Sequence, residues 1–180
     1  PCVASAEAGD EPFMLAMKNP SAMVVVSEKR KDGIEKLLEL PKNEQPQLII
    51  LDDAFQHRQV ARDLNFLVIQ AAKSPFNDAV LPLGRLREPV SGIRRAQMIL
   101  ISKIQSQTDV LELEKNLFLY EKPILKSRIK VRGLQDFFGK KKILADDFSS
   151  DLPAFFAFSG IGDSQSFLQT LEKSGISVQG

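Results

Sequence analysis

Residues Leu48–His57 read LIILDDAFQH, and this stretch decides the fold class. The apolar run Leu48–Leu51 has the length of a buried strand, and two carboxylates, Asp52 and Asp53, follow it directly. A strand without alternating polar residues is typical of a parallel sheet that is covered on both faces. The stretch therefore predicts an α/β protein with Asp52 and Asp53 at the carboxyl edge of the sheet, where open α/β sheets bind ligands.

Further apolar runs of strand length alternate with segments of helical spacing. The other predicted strands are Ala22–Val26, Phe66–Ile69, Met98–Ile101 and Phe155–Phe158, with Ile124–Val131 as an exposed or linking strand. The predicted helices are one that Asp10 caps and that ends at Asn19-Pro20, then Lys31–Leu40, Asp109–Tyr120 and Ser164–Ser174. This alternation implies βαβ units, so we expect a mostly parallel sheet with flanking helices.

The composition excludes several classes of protein. The 180 residues are 43% hydrophobic and 26% charged, which is typical of a globular domain. Basic and acidic side chains number 24 and 23, so a large nucleic-acid footprint is not expected. The single cysteine, Cys2, cannot form an internal disulfide, and no apolar run approaches the roughly 18 residues of a membrane-spanning helix.

The carboxylate pair after Leu51 has two interpretations. An apolar strand that delivers carboxylates at its end resembles a Walker B element, in which a carboxylate holds Mg²⁺ beside nucleotide phosphates. Asp52 and Asp53 could instead cap a turn, since aspartate is common after strands. His57, the only histidine, is either a hydrogen-bonded structural residue or a side chain that reaches a phosphate or orients a carboxylate.

Three other segments carry chemistry-bearing residues. In Gly9-Asp10-Glu11-Pro12 the acids either complement a helix dipole or provide a general base. In Leu81–Pro89 (LPLGRLREP), Arg85, Arg87 and Glu88 form either a phosphate-binding turn or an ordinary surface loop. The glycines of Ser159–Asp163 (SGIGD) are best explained by tight packing between a strand and a helix, although such a turn can also hold an anion.

Taken together and in this order, these segments resemble the tetraacyldisaccharide 4′-kinases, the lipid A 4′-kinases of Gram-negative bacteria. GDEP, DDxxQH and LREP are specific as a set, and none of them is specific alone. The segments that carry the resemblance are GDEPFMLA (9–16), VVVSEKR (24–30), LIILDDAFQHRQVARDLNFLVI (48–69), LPLGRLREP (81–89) and FAFSGIGDSQSFLQTLEKSGI (156–176).

The resemblance implies a P-loop nucleoside triphosphatase fold with the start of a smaller C-terminal α/β lobe. It implies transfer of the γ-phosphate of ATP, with Mg²⁺, to the 4′-hydroxyl of tetraacyldisaccharide 1-phosphate. The work is expected of a peripheral protein at the cytoplasmic face of the inner membrane. We accordingly expect residues 1–122 to form part of the kinase core, 123–150 to link, and 151–180 to begin the C-terminal lobe.

The resemblance also implies roles for single residues. Asp10 is expected to be the general base, with Glu11 in support, and Asp52 and Asp53 to serve Mg²⁺ and the nucleotide. The further positions are Gln56 in the nucleotide site and His57, Arg87 and Glu88 among the catalytic residues, with Arg87 a candidate for steadying phosphate charge.

The chain departs from the family pattern in four respects. Ala54 stands in place of a commoner glycine, which is a mild change if the backbone keeps φ negative, and Arg85 stands in place of a usual proline. The chain contains no G-x-x-x-x-G-K-[ST] phosphate loop, and no second histidine that could serve as the family's base partner. We therefore expect an internal piece of the kinase that does not catalyse as it stands.

Two alternatives remain open on the residues alone. A different P-loop ATPase or GTPase would also carry a Walker B strand, but it does not predict GDEP or LREP. A non-enzymatic α/β binding or scaffold domain would need no phosphate loop.

Overall fold

The computed structural model describes residues 4–104, 107–136, 138, 140–148, 155–160 and 164–179. The chain divides into two compact units that interleave along the sequence. The first consists of the described residues of Pro1–Leu67, Pro75–Ile99 and Tyr120–Pro123, and the second of those of Val68–Ser74, Leu100–Leu119 and Ile124–Gly180. The division into 1–122, 123–150 and 151–180 stays a prediction.

The first unit contains three helices, α1 (Ser5–Ala8), α2 (Asp10–Lys18) and α3 (Arg30–Leu38). Gly9, at φ +87°, precedes α2 and is its N-cap, so Asp10 lies inside the first turn and is not the capping residue that we predicted. A negative side chain there complements the helix dipole. Asn19 ends α2 as predicted and donates from its side-chain amide to the carbonyl of Leu15 at 2.9 Å. α3 begins and ends earlier than predicted.

The sheet contains β1 (Phe66–Gln70), β2 (Met98–Ser102) and β3 (Ile124–Lys126) in the order β1-β2-β3. The strands are parallel, because the residue numbers of the hydrogen-bonded partners increase together along neighbouring strands. Met98 N donates to Asn65 O at 3.3 Å and Ala71 N to Ser102 O at 2.9 Å. The parallel α/β class and the strands at 66–69 and 98–101 are thereby confirmed.

Helix α4 (Gln107–Leu117) connects β2 to β3 and completes a βαβ unit. Its apolar side chains recur at helical spacing, so one face is buried: Val110, Leu113 and Leu117 are at most 1% exposed. The strand residues Ile99 and Ile101 are also fully inaccessible to solvent. A 3₁₀ turn, Phe118–Tyr120, follows, where we predicted the helix to continue.

Two predicted strands are wrong. Ala22–Val26 and Leu48–Leu51 have no strand assignment, and their apolar side chains remain accessible, with Ile50 84% exposed. A strand needs a hydrogen-bonded neighbour, and neither segment forms a ladder with any described residue. β1 also departs from the expectation of two covered faces, since Phe66 and Val68 are about half exposed while Ile69 is buried.

In the C-terminal third, the observed strands differ from the predicted ones, whereas the predicted last helix is present. Only Ile124–Lys126 of the predicted Ile124–Val131 is a strand. An antiparallel hairpin that we did not predict pairs β4 (Gly133–Gln135) with β5 (Lys142–Leu144). The predicted strand Phe155–Phe158 contributes a single bridge from Phe155 to Val178.

Helix α5 (Ser164–Lys173) forms where the apolar spacing predicted it. The chain leaves it through Gly175, whose φ of +77° is a conformation that glycine adopts without steric cost. No helix in the part of the chain that the structure describes is long and apolar enough to cross a membrane.

Burial on α4 gives a test of the core. Leu113→Ala should lower the free energy of unfolding by about 3 kcal/mol, because the side chain is 1% exposed and its removal leaves a cavity. Leu111→Ala, on the same helix but 52% exposed, is the matched control and should cost less than about 1 kcal/mol. Equal losses in urea unfolding would contradict this assignment of the buried face.

Candidate functional site

The candidate site lies in the first unit, where three segments meet: the turn after Leu51, the loop 78–89 and the 3₁₀ turn Val90–Arg95. Glu88 lies where they converge. Its carboxylate accepts hydrogen bonds from Gln56 Nε2 at 2.9 Å and from Arg58 Nη2 at 3.2 Å. Arg95 Nη2 contacts both Glu88 oxygens, at 2.8 and 2.7 Å. We call Gln56, Arg58, Glu88 and Arg95 the Glu88 cluster.

Glu88 is held in its charged form by these donors. The side chain is only 15% exposed, and burial by itself raises the pKa of a carboxyl. The hydrogen bonds from Arg95, Gln56 and Arg58 outweigh the burial, so the pKa of Glu88 lies below its ordinary value of 4.5. The carboxylate is therefore an anionic anchor for the surrounding side chains.

Arg95 is fixed on its other side by an aromatic ring. Its guanidinium carbon lies 4.6 Å from the ring centroid of Phe55, a cation–π geometry. Its Nε is buried and has no hydrogen-bond partner among the described residues. The Glu88 carboxylate and the Phe55 ring are thus the groups that stabilise this cation.

Gly92 allows the close approach of Glu88. A Cβ atom at position 92 would lie 2.6 Å from Glu88 Oε2 and 2.9 Å from its Cδ. Neither distance is compatible with ordinary van der Waals contact, so any larger residue must displace the carboxylate.

Asp53 and Arg87 form a second ion pair, which is exposed. Arg87 directly precedes Glu88 in the sequence. Arg87 Nη1 lies 2.9 and 2.8 Å from the two Asp53 oxygens, and both side chains are more than half exposed. The hydrogen bond to Asp53 and the opposite charge raise the pKa of Arg87. Asp53 adopts a φ of +43°, a left-handed conformation that aspartate tolerates better than most residues.

The backbone that follows Asp53 is stabilised by two hydrogen bonds to the carbonyl oxygen of Ala54. Arg62 Nη1 and the amide of His57 both donate to Ala54 O, the latter at 2.9 Å. Ala54 is buried and keeps a negative φ, so replacing the commoner glycine is compatible with this backbone.

Loop 78–86 is closed by its own ion pair. Arg85 Nε lies 2.7 Å from Asp78 Oδ2, and Asp78 Oδ1 accepts from the amides of Ala79 and Arg85. The hydrogen bond from the Arg85 amide, then that from the Arg85 side chain, lowers the pKa of Asp78. Arg85 therefore has a carboxylate partner inside its own loop, and its charge supports the loop.

The structure brings together four of the residues that sequence reasoning selected. Gln56 contacts Glu88, and Asp53 contacts Arg87. The remaining selected residues, Asp10, Glu11, Asp52 and His57, are exposed, and no hydrogen bond or ion pair joins their side chains to these pairs within the described residues. The last three residues of the turn Ser159–Asp163 lie outside the described residues.

The carboxylates that could hold Mg²⁺ are those of Asp52 and Asp53. No group of three or more possible ligand side chains occurs among the described residues. Mg²⁺, however, is usually bound by one or two carboxylates together with phosphates and water, and Asp52 and Asp53 are adjacent hard oxygen donors. The pair fits that mode of binding, provided that Asp53 exchanges its contact with Arg87.

Sequence reasoning missed Arg58, Arg95, Phe55 and Gly92. Arginine is common on surfaces, and an Arg94-Arg95 pair carries no local signal of burial. The available signal in the sequence was the position of one acid, Glu88, among three basic residues, Arg85, Arg87 and Arg95. That pattern favours a paired carboxylate but does not identify its partners.

A parallel sheet with a βαβ unit, and carboxylates and arginines assembled where an apolar run ends, define an α/β protein consistent with a P-loop-like kinase fold. The chain belongs to the family described as "Tetraacyldisaccharide-1-P 4'-kinase", whose family model matches residues 2–180. The resemblance drawn from the motifs is thereby confirmed. Membership favours the kinase interpretation over an unrelated ATPase and over a scaffold domain.

Curated relatives carry the name tetraacyldisaccharide 4′-kinase. The chain is 42% identical over 175 residues to that of Chlorobaculum parvum, covering 97% of this chain and 47% of the relative. It is 43% identical over 175 residues to that of Chlorobium limicola, covering 97% and 49%. The chain thus spans about half the length of the curated relatives that it matches. No solved structure matches it.

The depressed pKa of Glu88 predicts a pH-dependent contribution to stability. This contribution is fully present above the unfolded-state pKa, near 4.5, and is lost as the pH falls through the lower folded-state pKa. The stability advantage of the wild type over Glu88→Gln, measured by urea unfolding, should therefore be constant at neutral pH and shrink below about pH 4.5. Glu112→Gln, at an exposed glutamate of α4, measures the background of the same chemical change. An advantage that stays constant into acid would contradict the ionised cluster.

The contact at Gly92 gives a separate test. Gly92→Ala should lower the free energy of unfolding by about 1–3 kcal/mol, because the new methyl group displaces the Glu88 carboxylate. Gly160→Ala is the matched control, since a Cβ there meets no atom of the described residues within 4 Å. If both variants unfold at the same urea concentration, the close packing at Gly92 is wrong.

Proposed function

We propose that the intact protein transfers the γ-phosphate of ATP to the 4′-hydroxyl of tetraacyldisaccharide 1-phosphate, the step that forms lipid IVA in lipid A biosynthesis. The observation that carries the proposal is the membership of residues 2–180 in the tetraacyldisaccharide-1-phosphate 4′-kinase family. The Glu88 cluster and the Asp53–Arg87 pair support it, because they combine residues of the DDxxQH and LREP motifs. We further propose a P-loop core, with the C-terminal lobe beginning in 151–180.

Phosphoryl transfer depends chiefly on positioning and on electrostatic stabilisation of the phosphoryl oxygens. Asp52 and Asp53 would hold Mg²⁺, which, when bound, neutralises charge on the phosphates of ATP. Arg87 has donors beyond Nη1, the nitrogen that contacts Asp53, and more than half of its side chain is exposed. Arg87 can therefore present further N–H groups to a phosphate beside the carboxylate pair.

Glu88 is a positioning residue in this proposal. Its two oxygens already accept four contacts from three side chains, so it has little capacity left to accept a proton from a substrate. It fixes Gln56, which is proposed to face the nucleotide. His57, exposed on the same turn, is proposed to reach a phosphate or to orient a carboxylate.

Asp10 is the proposed general base. Its carboxylate lies in the first turn of α2, is exposed, and has no ion-pair or hydrogen-bond partner among the described side chains. It is therefore open to a substrate hydroxyl, which a base must reach within hydrogen-bond distance. Glu11 lies beside it as a supporting acid.

Helix α2 also favours an amphiphilic substrate. Directly after the acids it exposes Phe13, Met14, Leu15 and Met17, with Met17 68% accessible. An apolar helix surface next to a proposed base suits an acyl chain beside a sugar hydroxyl. It also suits the proposed location, as a peripheral protein on the cytoplasmic face of the inner membrane.

Substitutions in the intact protein separate the proposed roles. Asp10→Asn should lower the rate of phosphate transfer at least about 100-fold while leaving ATP affinity unchanged, because a base acts on the acceptor. Asp53→Asn should weaken Mg²⁺-dependent binding of ATP. The measurements are transfer from labelled ATP to dispersed tetraacyldisaccharide 1-phosphate and equilibrium ATP binding.

Glu7→Gln, at an exposed acid of α1, is the control and should behave as the wild type. The 180-residue chain is assayed alongside, since the sequence predicts no transfer from it alone. Normal turnover by both Asp10→Asn and Asp53→Asn would refute the assigned roles, and the absence of transfer by the intact wild type would refute the proposed reaction.

A further inference from the structure

A cavity of about 470 Å³ lies within the second unit. It is bounded by the residues after β2, by segment 128–131 and by the C-terminal end of α5. The cations that line it are Lys103, Arg128, Lys130 and Lys173. We call this the basic cavity; none of its residues has a role in the proposed kinase chemistry.

The charge of the basic cavity is of one sign. Among the residues that the structure describes, its lining includes four cations and no aspartate or glutamate. None of the four forms an ion pair with a carboxylate among the described residues. In the same unit Lys126 does have a carboxylate partner, Glu114, at 2.9 Å. Like charges gathered around a concave surface attract an anion.

Lys173 lies at the C-terminal end of α5, where the helix carbonyls need hydrogen-bond donors. Lys173 could serve simply to complement the helix C-terminus. The last carbonyls, however, already have donors: Ser174 Oγ to Thr170 O at 2.8 Å, and the amides of Gly175 and Ile176 to Glu172 O and Leu171 O, both at 3.0 Å. These carbonyls of residues 170–172 therefore do not depend on the Lys173 ammonium for a donor.

The rest of the described lining is mixed: Ile104, Ile129, Val131 and Ala145 are apolar, and Thr170 and Ser174 carry hydroxyl groups. Ile104, Ile129 and Val131 line the cavity together with the cations, and Ile129 is 60% exposed. The volume falls in the range of sites for small organic molecules and exceeds what an inorganic anion needs. The lining thus combines donors for a phosphate with a surface for an apolar group attached to it.

We propose that the basic cavity binds a phosphate monoester whose organic part is apolar. Arg128, Lys130 and Lys173 contact the phosphate oxygens, and Ile129 contacts the organic part. The ligand is either the headgroup of an anionic lipid or a free phosphate compound, and the two share the chemistry that the cavity recognises.

The test uses the intact protein with two soluble probes, inorganic phosphate and monomeric dihexanoyl phosphatidic acid. Binding is followed by the amide NMR signals of the cavity residues, which report this site and not the proposed active site. In the triple variant Arg128→Gln/Lys130→Gln/Lys173→Gln, three exposed cations are removed and the dissociation constant should rise at least about tenfold. The matched control is Lys36→Gln/Lys115→Gln/Lys141→Gln, which removes the same charge from exposed lysines outside the lining.

Each outcome decides a point. Tighter binding of the lipid probe than of phosphate, lost only in the cavity variant, supports the proposal with a lipid headgroup as the source. Equal binding of both probes, even if lost only in that variant, overturns the proposal, because the apolar group would then contribute nothing to binding. The absence of shifts at the cavity amides, or equal weakening in the control, overturns the proposal. Phosphate transfer by the same variants is assayed separately, so a failure of the proposed kinase reaction is not confused with a failure of this site.

Discussion

The carboxylate of Glu88 is the interaction on which the candidate site depends. It is largely withdrawn from water, and a buried charge is stable only when its partners are close and well oriented. Those partners come from residues 30 to 32 positions earlier and from a turn seven positions later. One carboxylate thus fixes the turn after Leu51 against the loop before Pro89. The Asp53–Arg87 pair joins the same two segments, so its geometry depends on that anchor.

The predicted helices held because local sequence sets them. Helices α2, α4 and α5 follow from apolar spacing and from terminators such as Asn19 and Gly175, because these features act within a few residues. The strands at 22–26 and 48–51 were wrong for the complementary reason. An apolar run has the composition of a strand, but its hydrogen-bonded neighbour is chosen by the rest of the fold.

The candidate site could be predicted only in part, for a related reason. The motifs named Asp53, Gln56, Arg87 and Glu88, and these residues do meet in pairs. Arg95 and Gly92 could not be selected, since their importance comes from what lies opposite them in space. The two groups of cations show the same distinction: arginines around Glu88 are held by a carboxylate, whereas the lysines of the basic cavity have no acid among the described lining residues. In the sequence both groups are simply basic residues, and they differ in whether the fold places an acid beside them.

The backbone at Asp53 has a consequence for how variants at this position are interpreted. With φ at +43°, the position excludes β-branched and bulky residues on steric grounds, whatever their chemistry. A valine or a leucine there would disturb the turn that carries Ala54 and Gln56, and the resulting defect would imitate the loss of a metal ligand. Asparagine keeps both the shape and the tolerance for this conformation and removes only the charge. A saturation library at residue 53 would consequently divide according to backbone compatibility before it divided according to function.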